Sequence, residues 1–343
     1  MLSFRAGWLL TCGAALLSTT ACNAILGNSE SSGPSIDPPD ASAGSDSADG
    51  TVGVPDAGDD CTGPEGCVVV SGVSQVTSID LDDQYLYWTS FSGNPGTAKR
   101  LKNGEGPTVE LDAFPKSIWI GHDDLNVYWS RGGRILSRSR SSTDVSAAAS
   151  TVTGSEDDII GAAVSGERLS WATQSNVYGC ALPDCSERHT YASGQAQVAS
   201  LQAFEDRVYW VESETLHTCL LDGCGDGGTA MPISTSSFAV EKNGSATRIF
   251  YAGDKSVFGC NFPCQNSLSI AQAIAPAALV ADSRFVWWRD RSTKEIARCA
   301  RSGCNNGRET FIEGQNFEAE RTLRSNDGFI YWATPTEIRR KRY

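Results

Sequence analysis

The chain has 343 residues, 41 acidic against 28 basic, a formal net charge of −13, 12 cysteines and only 3 histidines. Its charge is unevenly spread: Arg5 is the one charge before Cys22, eight acids and no base fall in Asn23 to Asp60, and residues 61–343 carry 33 acids and 27 bases. That mild balance excludes a bulk nucleic-acid stripe or a basic membrane-docking face.

Taken in order, Met1 to Ala21 has one base, an apolar run from Ala6 to Leu17 and then Ser18, Thr19, Thr20 and Ala21. This is the composition of a secretory signal peptide. The run is shorter than the roughly 20 residues of a membrane span, and no later segment approaches that length. The small residues before Cys22 resemble a bacterial lipobox, with Thr19 where leucine is usual. That resemblance implies lipidation at Cys22; ordinary secretion with cleavage near Ala21 is the alternative. Asn23 to Asp60 is rich in Ser, Gly, Asp, Pro and Ala and has no aromatic residue. Such a tract buries too little to fold, so residues 22–60 are expected to form a disordered tether. An exported location at the bacterial outer membrane or cell surface follows, with a periplasmic or secreted protein as the alternative.

Residues 61–343 read as one domain of repeats. Leu81 to Ser90, LDDQYLYWTS, returns as HDDLNVYWS, SGERLSWAT, FEDRVYWVE, SATRIFYAG, DSRFVWWRD and NDGFIYWAT. The second aromatic position falls at Trp88, Trp129, Trp171, Trp210, Tyr251, Trp288 and Trp332, with spacings of 41, 42, 39, 41, 37 and 44. Each unit predicts a short first strand (Thr77 to Leu81, Ser200 to Ala203), a polar turn (Asp82-Asp83, Glu205-Asp206) and an aromatic second strand. A third strand (Thr97 to Lys102, Arg134 to Ser139, Asn176 to Cys180, Glu295 to Cys299) and a fourth (Thr108 to Leu111, His189 to Ala192, Glu309 to Ile312) complete it. Alternation puts Tyr85 and Tyr87 on one face and Leu86 and Trp88 on the other, so both faces must be covered. Four-stranded units of about 40 residues with two apolar faces indicate an all-β propeller.

After Trp332 only Glu337 to Arg342 fits as a strand, and the seventh unit lacks its fourth. Cys67 to Ser71, CVVVS, precedes the first repeat and can supply it, removing an open edge. Seven blades are expected. The basic run Arg339 to Arg342 reads as the third strand of that last unit rather than as a binding patch. The Tyr-Trp strands resemble YWTD-like and TolB-like propeller repeats, although only the copy ending at Asp290 keeps the final aspartate. That resemblance implies six blades as the alternative count.

Apart from Cys12 and Cys22, the cysteines form close pairs: Cys61/Cys67, Cys180/Cys185, Cys219/Cys224, Cys260/Cys264 and Cys299/Cys304. In an exported protein an even, paired set reads as disulfides, and the last four pairs are placed at the end of a third strand and the start of a fourth. Zinc would need two pairs to converge, whereas pairs one repeat apart sit on neighbouring blades. No metal or cofactor is expected.

His122, His189 and His217 lie in three repeats at different positions, and no catalytic or phosphate-binding motif is present. The double-aspartate turns do not have calcium-loop spacing. The connections entering the first strands offer a ligand site at the axial mouth: Gln75, Lys116, Asp157, Asp158, Gln197, Glu318 and Glu320. The leading expectation is a monomeric, tethered binding or scaffold module for an envelope protein or glycan. A propeller enzyme of lactonase-like or lyase-like kind, or a subunit of an outer-membrane assembly, are the alternatives.

Overall fold

Polar turns, led by an aspartate at Asp82, Asp123 and Asp282, join the first strands to the second, and the aromatic run after each becomes the strand that fills the space between sheets. The computed structural model describes residues 60–143, 147–154, 158–224, 228–304, 307–317 and 321–343. Residues 1–59, which include the expected signal segment, Cys22 and most of the expected tether, lie outside these. The described residues form seven four-stranded antiparallel sheets. Their first strands are Val76–Leu81, Ile120–His122, Gly161–Ser165, Val198–Phe204, Phe238–Asn243, Pro276–Ala281 and Leu323–Asn326. Each first strand touches those of the sheets before and after it, and the seventh touches the first. The sheets are therefore blades around an axis, with first strands innermost: a seven-bladed β-propeller. The six-bladed alternative is excluded.

Closure follows the sequence expectation. Cys67–Ser71 pairs antiparallel with Glu337–Arg342 and completes the seventh blade, with Cys67 opposite Arg340 and Ser71 opposite Glu337. The seventh and first blades are also joined at the axis, where the Ile79 amide donates to the Arg321 carbonyl at 3.1 Å.

The second strands divide their side chains as alternation demands. Leu86 and Trp88 pack with Val70, Tyr331 and Ile338 towards the seventh blade, while Tyr87 packs with Ile120, Val127 and Trp129 towards the second. Trp88, Trp129, Trp171, Trp210, Trp288 and Trp332 are all essentially buried. The aromatic pairs are thus inter-blade core.

The aspartate turns hold the same geometry three times. Asp82 accepts at Oδ1 from the Gln84 and Tyr85 amides (2.7 and 2.6 Å) and at Oδ2 from the Tyr87 hydroxyl (2.6 Å). Asp123 does so with Leu125, Asn126 and Tyr128, and Asp282 with Arg284, Phe285 and the Trp287 indole. Each carboxylate ties its turn to the first aromatic of the following pair.

All five cysteine pairs are disulfides: Cys61–Cys67, Cys180–Cys185, Cys219–Cys224, Cys260–Cys264 and Cys299–Cys304, with Cα separations of 5.0–5.4 Å. Their expected placement needs one correction. Cys180, Cys219, Cys260 and Cys299 do lie on third strands, but Cys185, Cys224, Cys264 and Cys304 do not start the fourth strands, which begin only at Arg188, Thr229, Leu268 and Glu309. They sit in the connection ahead of them. A bridge this short must close before the fourth strand can diverge, so the second cysteine is spent on the turn. Cys185 and Cys264 reach it with φ of 53° and 63°. Cys224 follows a tight turn closed by the Gly223 amide on the Leu220 carbonyl at 3.1 Å, and Cys304 follows its counterpart, Gly303 on Ala300 at 2.9 Å. Both are half-buried: Cys224 packs against the core between blades 3 and 4, and Cys304 against the core between blades 5 and 6, where its amide donates to the Ile270 carbonyl at 3.0 Å. Blades 1 and 2 lack such bridges and are clipped by Arg140, whose guanidinium reaches Asp82 (2.9 Å) and Asp83 (2.7 Å) while also donating to the Asp123 carbonyl (3.1 Å).

Candidate functional site

Seven inner strands cannot meet at the axis, and the space they leave is the site. A cavity of about 480 Å³ there is lined from every blade, by residues that include Thr77, Trp119, Ala162, Leu201, Phe238, Leu279 and Arg321. A second cavity of about 250 Å³ shares Trp119, Ala162, Leu201, Gln202 and Arg324 with it and adds Asp80 and His122. The two are consecutive parts of one axial channel.

Local irregularities shape its walls. The pairing register shifts between Val76 and Ser78, between Val198 and Leu201 and between Ala277 and Val280. Bulges of this kind bend a strand and re-aim its side chains, and Ala278 in the third has φ of 51°. Two glycines make room for larger groups. A Cβ on Gly121 would stand 2.5 Å from the Trp119 ring, and one on Gly161 would stand 2.4 Å from Nη2 of Arg321.

Among the described residues lining the channel, the charged and titratable groups are four: Asp80, His122, Arg321 and Arg324. The Arg321 guanidinium crosses towards blades 2, 3 and 4 and donates to the carbonyls of Ile160 (2.6 Å), Ala199 (3.4 Å) and Ile118 (3.5 Å). Burial, and then the neighbouring Arg324, push its pKa down to about 10, so it remains a cation at neutral pH. Arg324 donates to the Leu323 carbonyl at 2.9 Å and faces the Asp80 carboxylate at 3.9 Å. Asp80 in turn holds Nδ1 of His122 at 2.6 Å. Burial draws the His122 pKa down, but the Asp80 carboxylate, with Asp82 farther off, outweighs it and raises the pKa above 6.5.

Four of the residues expected at the axial mouth fall among the described residues. Gln75, Lys116, Asp158 and Gln197 are exposed on the connections before the inner strands and line neither cavity. Asp157, Glu318 and Glu320 lie outside the described residues. Gln75, Lys116 and Gln197 share a left-handed backbone, with φ of 48°, 72° and 57°, so these positions serve to turn the chain into the inner strand. Of the histidines only His122 lines the channel; His189 is on an outer strand, and His217 stacks on Trp210 at 5.5 Å and lies 3.5 Å from Glu212. Among the described residues no group of three or more His, Cys, Asp or Glu is placed to hold a metal ion. None of their helices is long and apolar enough to cross a membrane.

Sequence reasoning missed Asp80, Arg321 and Arg324 and found no role for His122. Asp80 and His122 are 42 residues apart, one repeat length, which is the signal that could have joined them. Nothing in the local sequence marks the two arginines.

No protein-family model matches the chain, and no curated protein sequence matches it. Solved structures share its fold. Virginiamycin B lyase from Staphylococcus aureus is similar with a TM-score of 0.59 and 12% identity, over 80% of this chain and 97% of that one. The WD40 propeller domain of Doa1 gives 0.59 and 9%, over 79% and 94%. The computationally designed Ika8 protein gives 0.55 and 11%, over 78% and 83%. At these identities the likeness concerns the propeller architecture.

Proposed function

We propose that this protein is an exported, lipid-anchored propeller that acts as a binding module of the bacterial envelope and receives its ligand in the axial channel. The observation that carries the reading is the cavity of about 480 Å³ walled by all seven blades, a volume within the range of roughly 300–1,000 Å³ usual for ligand sites. Five disulfides support an oxidising compartment, and the small residues before Cys22 with the acidic tract after it support a tether. A channel of this width admits a small molecule or the tip of a protein loop or glycan rather than a folded surface.

The test is native mass spectrometry of the full chain purified from envelope extracts, beside Ala199→Trp. Ala199 lines the larger cavity, so an indole there fills it while the inter-blade core is left intact. The parent is expected to carry a ligand that the variant lacks at unchanged melting temperature; equal retention by both would sink the channel as the site. The same spectra should show diacylglycerol on Cys22, and a product cut elsewhere with Cys22 unmodified would remove the anchor.

A lyase-like or lactonase-like activity is the second reading, favoured by the Asp80–His122 pair in the smaller cavity. A histidine oriented by a carboxylate is the usual arrangement of a general base. Turnover of a lactone or ester panel that disappears in His122→Asn would favour it over binding alone.

A further inference from the structure

The two channel arginines specify the ligand, an inference that rests on the axial channel being the binding site. Arg321 and Arg324 line the same cavity, and among the described residues the one carboxylate near either is Asp80, 3.9 Å from Arg324. Asp80 is already engaged by His122 at 2.6 Å. Arg321 has no carboxylate partner among the described residues; of its three carbonyl contacts, two are long at 3.4 and 3.5 Å. Both guanidiniums are half-buried with at most one shared carboxylate between them, and two cations this close repel, Arg324 depressing the Arg321 pKa. The fold nevertheless clears room for the guanidinium at Gly161. The neighbouring wall carries half-buried apolar side chains, Ile118, Val240 and Val280.

We infer that the channel takes a small organic anion with an apolar body. Its head, a carboxylate or a phosphate monoester, takes the forked donors of Arg321 in place of the two long carbonyl contacts and is drawn also to Arg324. Its body lies against Ile118, Val240 and Val280. An arginine fork matches both head groups through paired hydrogen bonds, which lysine cannot reproduce.

Isothermal titration of the purified full chain tests this with four probes: 3-phenylpropionate, phenyl phosphate, benzyl alcohol as the neutral body and inorganic phosphate as the bare head. At least one of the two aromatic anions is expected to bind at least tenfold more tightly than benzyl alcohol and than inorganic phosphate. The tighter of the two distinguishes a carboxylate from a phosphate head. Arg321→Gln and Arg324→Gln should each weaken that anion at least tenfold and leave benzyl alcohol unchanged, with Arg321→Lys intermediate. Should Arg321→Gln fail to fold, Arg324→Gln decides, because among the described residues its guanidinium makes one hydrogen bond, to its own strand's Leu323 carbonyl at 2.9 Å, besides facing Asp80 at 3.9 Å. The inference is overturned if benzyl alcohol binds as tightly as the anions, if neither anion binds, or if Arg324→Gln binds the anion unchanged. Loss of the co-purified ligand in Ala199→Trp, with no binding of either anion, would leave the channel standing and remove only this ligand class.

Discussion

The Tyr87 hydroxyl donates to Oδ2 of Asp82 at 2.6 Å, and the Arg140 guanidinium from the next blade closes on the same oxygen at 2.9 Å. The turn, the aromatic core and the neighbouring blade are thereby joined at one carboxylate, where no disulfide is present. Burial alone would raise the pKa of Asp82, but Tyr87, two backbone amides and Arg140 hold it below 3.8.

From that relationship the two adjacent aspartates should behave differently. The Asp82 side chain is 2% exposed and that of Asp83 is 74% exposed. Asp82→Ala leaves the Tyr87 hydroxyl and part of Arg140 unpaired and is expected to cost about 2–4 kcal/mol. Asp83→Ala should fall within about 0.5 kcal/mol of the parent, and Tyr87→Phe should cost about 1 kcal/mol. Urea denaturation of the three variants checks the order; equal costs at Asp82 and Asp83 would contradict it.

The disulfides are expected to act locally. A ring of five or six residues constrains the unfolded chain by about 2 kcal/mol in the loop-entropy estimate, so replacing Cys180 and Cys185 together by serine should cost about that much while the protein stays folded. Non-reducing peptide mapping should return the five local pairs, Cys219–Cys224 and Cys299–Cys304 among them. Connectivity between blades, or thiols free to take up zinc, would overturn the assignment.

Removal of residues 61–72 takes away the strand that pairs with Glu337–Arg342. The seventh blade then presents an unpaired edge, the usual template for aggregation. Loss of cooperative unfolding or of solubility is expected, and a deletion variant with unchanged melting and solubility would show that closure does not depend on this strand.

Protonation of the channel should shift stability in a defined direction. The His122 pKa is higher in the folded protein than its ordinary 6.5 because the Asp80 carboxylate outweighs burial. A raised folded pKa means that the native state holds its proton more tightly than the unfolded state does. The contribution is therefore complete below the unfolded pKa and is lost as pH rises through the folded one. Asp82, with a depressed pKa, acts oppositely, stabilising above its unfolded value and failing as pH falls through the folded value. Nuclear magnetic resonance titration of the His122 ring should give a midpoint above 6.5 that drops in Asp80→Asn. A midpoint unmoved by that substitution would exclude the pair as the cause.

The sequence by itself determined the architecture, because everything that builds a blade has to recur. Trp88, Trp129, Trp210 and Trp332 mark the second strands, the aspartates before Tyr87 and Tyr128 mark the turns, and the cysteine pairs mark the hairpins. Blade number and closure by Cys67–Ser71 followed from counting these features. Packing between similar neighbours repeats the same residue types at the same spacing, and repetition is visible in one dimension. Where the second cysteine of each pair stands was less legible: spacing joins Cys219 to Cys224 and Cys299 to Cys304, but it does not say whether the ring closes on a strand or on the turn before it.

Only the tertiary structure decided what stands in the channel. Asp80, His122, Arg321 and Arg324 come from blades 1, 2 and 7, and the ends of that set meet because the ring closes. The lining differs from blade to blade, with Thr77, Trp119, Ala162, Leu201 and Arg321 among it, so it leaves no period to read. Inner strands with bulges at Thr77, Ala199 and Ala278 also break the simple alternation that would say which side chain faces the axis. The exposed connections carrying Gln75, Lys116, Asp158 and Gln197 were legible as polar positions before each inner strand. That they line neither cavity was not, because a bulge or a left-handed residue redirects the chain without changing its composition.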